Sequence, residues 1–163
     1  MDNDKTMESL ITSWGLPECL EHKKDHIVFR FSDEGLTGTR EKGYHCKNGN
    51  VKFCLYDEKL NKVLFSMDFF KINSSLSQKS TPFIQLELLY VHDDSMRRKG
   101  VGSYYLARLR EYAISEKVKG IYVRANGNAK NFKNDSKVNA LSQERLVKYY
   151  ENKNTPEMPV YVE

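Results

Sequence analysis

Apolar residues recur along this chain at two periods, and the switches between them mark out its elements. From His26 to Ser32 the period is two, with Ile27, Phe29 and Phe31 on one side and Val28 and Arg30 on the other, which suits a strand. Val51–Tyr56 and Lys62–Phe70 read as two more strands joined by a polar turn over 57–61. Phe83–Val91 is nearly continuous in apolar residues except for Gln85 and Glu87, the pattern of a central strand. Between Val101 and Glu116 the period changes. Leu106, Leu109 and Ala113, with Tyr105 and Tyr112, recur at three- and four-residue spacing and give a helix one apolar stripe. Lys119–Arg124 returns to strand, Ser142–Asn152 predicts a helix with Gln143, Leu146, Val147 and Tyr150 along one side, and Met158–Val162 a short last strand. Near the start, Thr6–Trp14 and Leu16–His22 predict short helices on either side of Gly15. Residues 33–50 are rich in Gly and charge and predict no element, and 73–81 and 126–138 read as polar loops.

Antiparallel hairpins therefore come first. A strand, turn, helix, strand unit follows, whose two strands must be parallel because only a crossover joins them. The expected fold is α/β (α+β), a mixed central sheet with hairpins first and a parallel crossover later. With 163 residues and no internal repeat or low-complexity linker, a single domain over 1–163 is expected.

Charge sharpens this picture. Residues 1–96 hold 12 basic and 15 acidic side chains, whereas 97–153 hold 14 and 5. The basic later half implies an anionic partner: nucleic acid, an anionic membrane or a phosphorylated cofactor. No run approaches the ~20 apolar residues of a membrane-spanning helix. Met1–Glu8 is polar and acidic, unlike a signal peptide. Cys19, Cys46 and Cys54 contain no CxxC pair and read as reduced thiols, which implies a cytoplasmic protein without a disulfide framework or zinc site. His22, His26, His45 and His92 lack metal-ligand spacing, so no metal is expected.

The segment with most chemistry is Arg97-Arg98-Lys99-Gly100-Val101-Gly102-Ser103, between the best strand and the best helix. Its glycines let the backbone turn closely, so several N–H groups can point at one anion. The same groups open a helix, whose positive dipole end favours phosphate. The basic side chains and the Ser103 hydroxyl add to it. The run is neither a Walker A loop nor GxGxxG, so neither a nucleotide hydrolase nor a dinucleotide fold is indicated.

Leu88-Leu89-Tyr90-Val91, followed by Arg97 to Gly102 in the form [RQ]xxGx[GA] and then a helix, resembles the GNAT superfamily of acetyl-CoA-dependent N-acetyltransferases. A second block, Glu144 to Glu151, resembles that family's late helix with its aromatic-Tyr-Glu ending. The resemblance implies that N–H groups from Arg98 to Ser103 bind the pyrophosphate of coenzyme A. It implies that Leu89, Tyr90 and Val91 pair with the pantetheine arm, and that an N–H near Leu89 holds the acetyl carbonyl. Arg97, Val101 and Gln143 join the implied cofactor residues. The chain departs from the family at Asp93, where a Pro is common, in a longer turn from Val91 to Arg97, at Gln143 in place of Asn, and in having no Leu-Gly-Phe after Glu151.

Direct transfer to an ammonium substrate needs a base and an acid. Glu87, on an otherwise apolar strand, is the candidate base, with a polar face or pairing to Arg30 or Arg124 as its alternative. Tyr150 is the candidate acid, with Tyr149 one residue away and a core role as the alternative. His92 reads as a solvated loop residue, Trp14 as a packing anchor and Cys54 as a small buried side chain. Lys130, Lys133 and Lys137 read as a solvated loop face or as ligands of the 3′-phosphate.

The resemblance thus implies an acyltransferase that moves acetyl from acetyl-CoA to a primary amine, with 83–152 as cofactor core and 1–82 as acceptor side. Its partner is an amine-bearing small molecule, peptide N-terminus or lysine, not a membrane, and a homodimer stays open. Asp33, Glu34, Glu41, Asp57 and Glu58 would attract a cationic acceptor. A module that binds acyl-CoA without turnover and a basic nucleic-acid-binding domain remain as alternatives.

Overall fold

The computed structural model describes residues 4–36, 41–47, 49–72, 82–124 and 143–162. Among these residues one sheet runs in the order β1 (Ile27–Arg30), β3 (Asn50–Asp57), β4 (Lys62–Ile72), β5 (Phe83–Val91), β6 (Ile121–Val123), β7 (Val160–Val162). A further strand, β2 (His45–Lys47), lies beside β1 along the same edge of β3. The early pairings are antiparallel, whereas β5–β6 and β6–β7 are parallel. This is the mixed α/β sheet that the periodicity predicts. β2 falls in the segment with no expected element, and a 3-10 helix at Glu18–Lys23 takes the place of the second short helix.

Three helices, α1 (Lys5–Ser13), α2 (Val101–Ser115) and α3 (Gln143–Glu151), contribute to one large core. α2 buries Leu106, Leu109, Ala113 and Tyr105, as its stripe requires. The sheet answers with alternate residues: Val51, Phe53 and Leu55 from β3, Phe65, Met67 and Phe69 from β4, Ile84 and Leu86 from β5. Phe53 is the hub, with Trp14, Phe29, Phe31, Phe65 and Tyr105 within 6.3 Å between ring centres. Trp14 is indeed a packing anchor, and each such buried ring contributes about 1.5–3 kcal/mol.

The tyrosines of α2 also tether the N-terminal segment. Tyr105 donates to the Gly15 carbonyl at 2.8 Å, and Tyr104 donates to that of Trp14. Among the described residues the second sheet face carries a small cluster, Tyr44, Cys54, Tyr56 and Val63. Burial pushes the Cys46 and Cys54 thiols up to about 12, so both are inert apolar fillers. Among the described residues no helix is long and apolar enough to cross a membrane, and no His, Cys, Asp, Glu group could hold a metal ion.

Candidate acyl-transfer site

The site begins with a defect in the ladder. Leu88 pairs with Asp68, but Leu86 pairs with Phe69, so Glu87 is an extra residue in β5. Such a bulge bends its strand and raises the local twist. On its other edge β5 pairs with β6 only through Ile84, Gln85 and Leu86, and the Arg124 N–H closes the ladder on the Leu86 carbonyl at 3.1 Å. Beyond that point no described residue of β6 pairs with β5. From Leu88 to Val91, β5 keeps β4 on one side, and along the other edge no described residue pairs with it.

The chain beyond β5 turns back in a short 3-10 helix, Asp94–Met96, and then reaches α2. Arg97 is buried: its Nε donates to the Val91 carbonyl at 2.9 Å and a terminal nitrogen donates to the Tyr90 hydroxyl at 2.9 Å. It therefore straps the loop to the end of β5. Arg98 adopts a left-handed backbone, φ 63°, which turns the chain so that Arg98 and Lys99 are exposed while Arg97 is not. The expectation of three basic side chains around an anion is corrected on this point. Arg98 and Lys99 are exposed, and Arg97 is a strap.

Gly100 is the N-cap of α2 at φ 88°, a conformation that favours glycine, and it offers no side-chain cap. The first-turn N–H groups of Val101, Gly102 and Ser103 have no carbonyl one turn back to receive them. A Cβ on Gly102 would lie 3.5 Å from Leu89 of β5 and 3.9 Å from the Tyr149 hydroxyl, so this residue marks the close approach of helix to open strand. Val101 itself is buried and anchors the turn. An uncapped helix start with a glycine cap and two exposed cations suits a phosphate group.

The Ser103 hydroxyl is 2.7 Å from that of Tyr149 in α3, and Lys153 sits 5.0 Å from the Tyr149 ring centre. Burial pushes the Tyr149 phenol up, and the hydrogen bond from Ser103 offsets part of this. Tyr150 packs in the main core beside it, its phenol also pushed up by burial. Tyr149 is thus the phenol against the loop, one residue from the expected position. Gln143 opens α3. The three loop lysines Lys130, Lys133 and Lys137 lie outside the described residues.

Glu87 lies beside Arg124, Oε2 to Nε 3.7 Å, one of its two expected pairings. His92 is more engaged than a solvated loop residue: its Nε2 is 2.8 Å from the Ser66 hydroxyl, which is 2.7 Å from the Tyr44 hydroxyl. The acidic residues expected to draw a cation are mostly engaged locally. Asp33 accepts from the N–H groups of Gly43 and Tyr44, Glu41 pairs with Lys52, and buried Asp57 accepts from Lys59 and Leu60. Sequence reading singled out neither Asp68 nor Ser66 nor Tyr44, whereas it kept Tyr149 as the alternative to Tyr150. The one available signal was a lone acid in the apolar run Phe65–Phe70.

No family model and no curated protein matches the chain. Several solved structures resemble it. One is an aminoglycoside acetyltransferase from an uncultured soil metagenomic sample in complex with trehalose, 14% identical over 67% of this chain and 59% of that one, with a TM-score of 0.46. Another is a Trypanosoma brucei acetyltransferase, 16% identical over 66% and 62%, also at 0.46. A third is a mutant AtaT toxin bound to the C-terminus of the antitoxin AtaR and acetyl-CoA, 20% identical over 52% and 53%, at 0.37. The chain spans 59–60% of the length of the soil aminoglycoside acetyltransferases, and at these identities the likeness does not extend to substrate or activity.

Proposed function

We propose that the chain is an N-acetyltransferase that moves the acetyl group of acetyl-CoA to a primary amine by direct attack in a ternary complex. The observation that carries this reading is that, among the described residues, β6 pairs with β5 only as far as Leu86, next to the Glu87 bulge and the start of α2, which has no side-chain cap. An open strand edge offers alternating N–H and C=O groups, and the amides of a pantetheine arm complement such an edge as an added strand does. The N–H groups from Arg98 to Ser103, with the exposed Arg98 and Lys99 side chains, would hold the pyrophosphate. Arg97 contributes by fixing the loop against Val91 and Tyr90.

A thioester seated along Leu88–Val91 would place its carbonyl against a β5 N–H near Leu89. A fixed donor there polarises the carbonyl and stabilises the oxyanion formed as nitrogen attacks. Glu87 lies on the second sheet face, where an ammonium can approach it without displacing α2. Tyr149, a phenol and so protonated at neutral pH, suits the return of a proton to the departing thiolate. The acceptor is an amine that enters over the second face, past Asp68, Tyr90 and Arg124.

Thiol release from acetyl-CoA over a panel of primary amines tests this activity, with coenzyme A binding measured beside it. Saturable binding with amine-dependent thiol release is expected. A protein that does not bind coenzyme A would refute the reading.

A further inference from the structure

Glu87 has a cation within ion-pair distance, whereas among the described residues Asp68 has none. Asp68 faces Leu88 across the ladder, one position from the inserted Glu87, on the same sheet face. On its other side the Cα partner is Lys52, whose ammonium is hydrogen-bonded elsewhere. It is taken by the Glu41 carboxylate and the Lys42 carbonyl, and it lies 5.5 Å from the Tyr44 ring centre. Among the described residues no group donates a hydrogen bond to the Asp68 carboxylate and none forms an ion pair with it.

This half-buried carboxylate, without an ion-pair or hydrogen-bond partner among the described residues and beside the Glu87 bulge, has the surroundings of a proton acceptor. We propose that Asp68 takes the proton from the acceptor ammonium, and that Glu87 holds that ammonium as its counter-ion. The proposal rests on the acyl-transfer reading above. An N–H bond of the ammonium breaks and its proton passes to the Asp68 carboxylate. The freed nitrogen lone pair forms the C–N bond, the C–S bond breaks, and the sulfur leaves as thiolate. The second nitrogen proton, lost as the amide forms, balances the one that Tyr149 gives to sulfur. Asp68 then returns its proton to solvent, so each turnover of an ammonium releases one proton.

The charges around Asp68 agree with this role. Burial raises its pKa above the ordinary aspartate value. Lys52 on β3 and His45 on β2 lower it by less, and Glu87 on β5 and Glu41 before β2 raise it further. A base whose proton affinity lies nearer the working pH is the more effective one.

Carboxyl carbon NMR of the wild-type protein loaded with coenzyme A tests the assignment without turnover. Asp68 is expected to titrate above the ordinary aspartate range, and its signal to shift when n-butylammonium is added. Titration at or below that range, or indifference to the probe, would overturn the proposal. Kinetics with n-butylamine separates the two carboxylates. Asp68→Asn should lower kcat at least 100-fold, with KM and coenzyme A affinity little changed, and abolish the acidic limb of the pH profile. Glu87→Gln should raise KM and keep that limb, and the reverse pattern would return the base to Glu87. Loss of coenzyme A binding by the wild type is a separate result that removes the acyl-transfer reading itself.

Discussion

The hydroxyls of Ser103 and Tyr149 lie 2.7 Å apart and join the first turn of α2 to the last turn of α3. The bond brings a phenol to the point where the helix start meets Leu89 of β5, since the same hydroxyl is 3.9 Å from a Cβ on Gly102. Tyr149→Phe should therefore reduce kcat by roughly 10²-fold while coenzyme A still binds. Tyr150→Phe should reduce it less. Steady-state kinetics of both variants decides the register, and the opposite order would assign the proton donor to Tyr150.

Arg97 holds the loop from inside. Arg97→Ala removes a buried guanidinium together with its hydrogen bonds to the Val91 carbonyl and the Tyr90 hydroxyl. It should cost about 2–4 kcal/mol of stability. Lys should not restore it, because one ammonium cannot reproduce the guanidinium fork. Denaturant unfolding measures the loss. Unchanged stability with lost coenzyme A affinity would make Arg97 a phosphate ligand instead.

The two glycines separate by mechanism. Gly100 has open space around it but a left-handed backbone, so Gly100→Ala should cost about 1–2 kcal/mol through strain alone. A Cβ on Gly102 meets Leu89 at an ordinary contact distance, so Gly102→Ala should fold normally. It narrows the gap that the cofactor must enter, and coenzyme A affinity should fall about tenfold. Calorimetric titration of both variants checks this, and full affinity in Gly102→Ala would move the cofactor elsewhere.

Acid should loosen the turn between β5 and α2. Burial alone would raise the Asp93 pKa, but hydrogen bonds from the Ser95 hydroxyl, Lys62 and the Ser95 N–H outweigh it and hold the value below the ordinary one. A carboxylate lowered on folding adds stability above its unfolded value, ~3.9, and that stability is lost as pH falls through the folded value. Between pH 5 and 2 the wild type should thus lose stability more steeply than Asp93→Asn. Equal slopes in urea unfolding would show that Asp93 contributes nothing.

Much of the frame is legible in the sequence because local pattern and tertiary packing agree there. The stripe Leu106, Leu109, Ala113 is the face α2 buries, and the apolar run of β5 is a central strand. β2 is three residues long and exists because β3 has a free edge to pair with, so no periodicity announces it. The site is less legible, for the same reason. Glu87 becomes an inserted residue only when β5 is laid against β4. Arg97-Arg98-Lys99 reads as three equal charges until the left-handed turn at Arg98 sends one inward. Asp68 looks like an ordinary strand acid until the ammonium opposite it proves to be held by Glu41.

The central claim is that coenzyme A lies along the open edge of β5 with its pyrophosphate at the start of α2. Backbone amide shift mapping during a coenzyme A titration tests it most directly. The predicted result is saturable change concentrated at Leu88–Val91 and Arg98–Ser103, with the Tyr149 signals following. Absence of saturable change, or change gathered on β1, β2 and α1 instead, would contradict it.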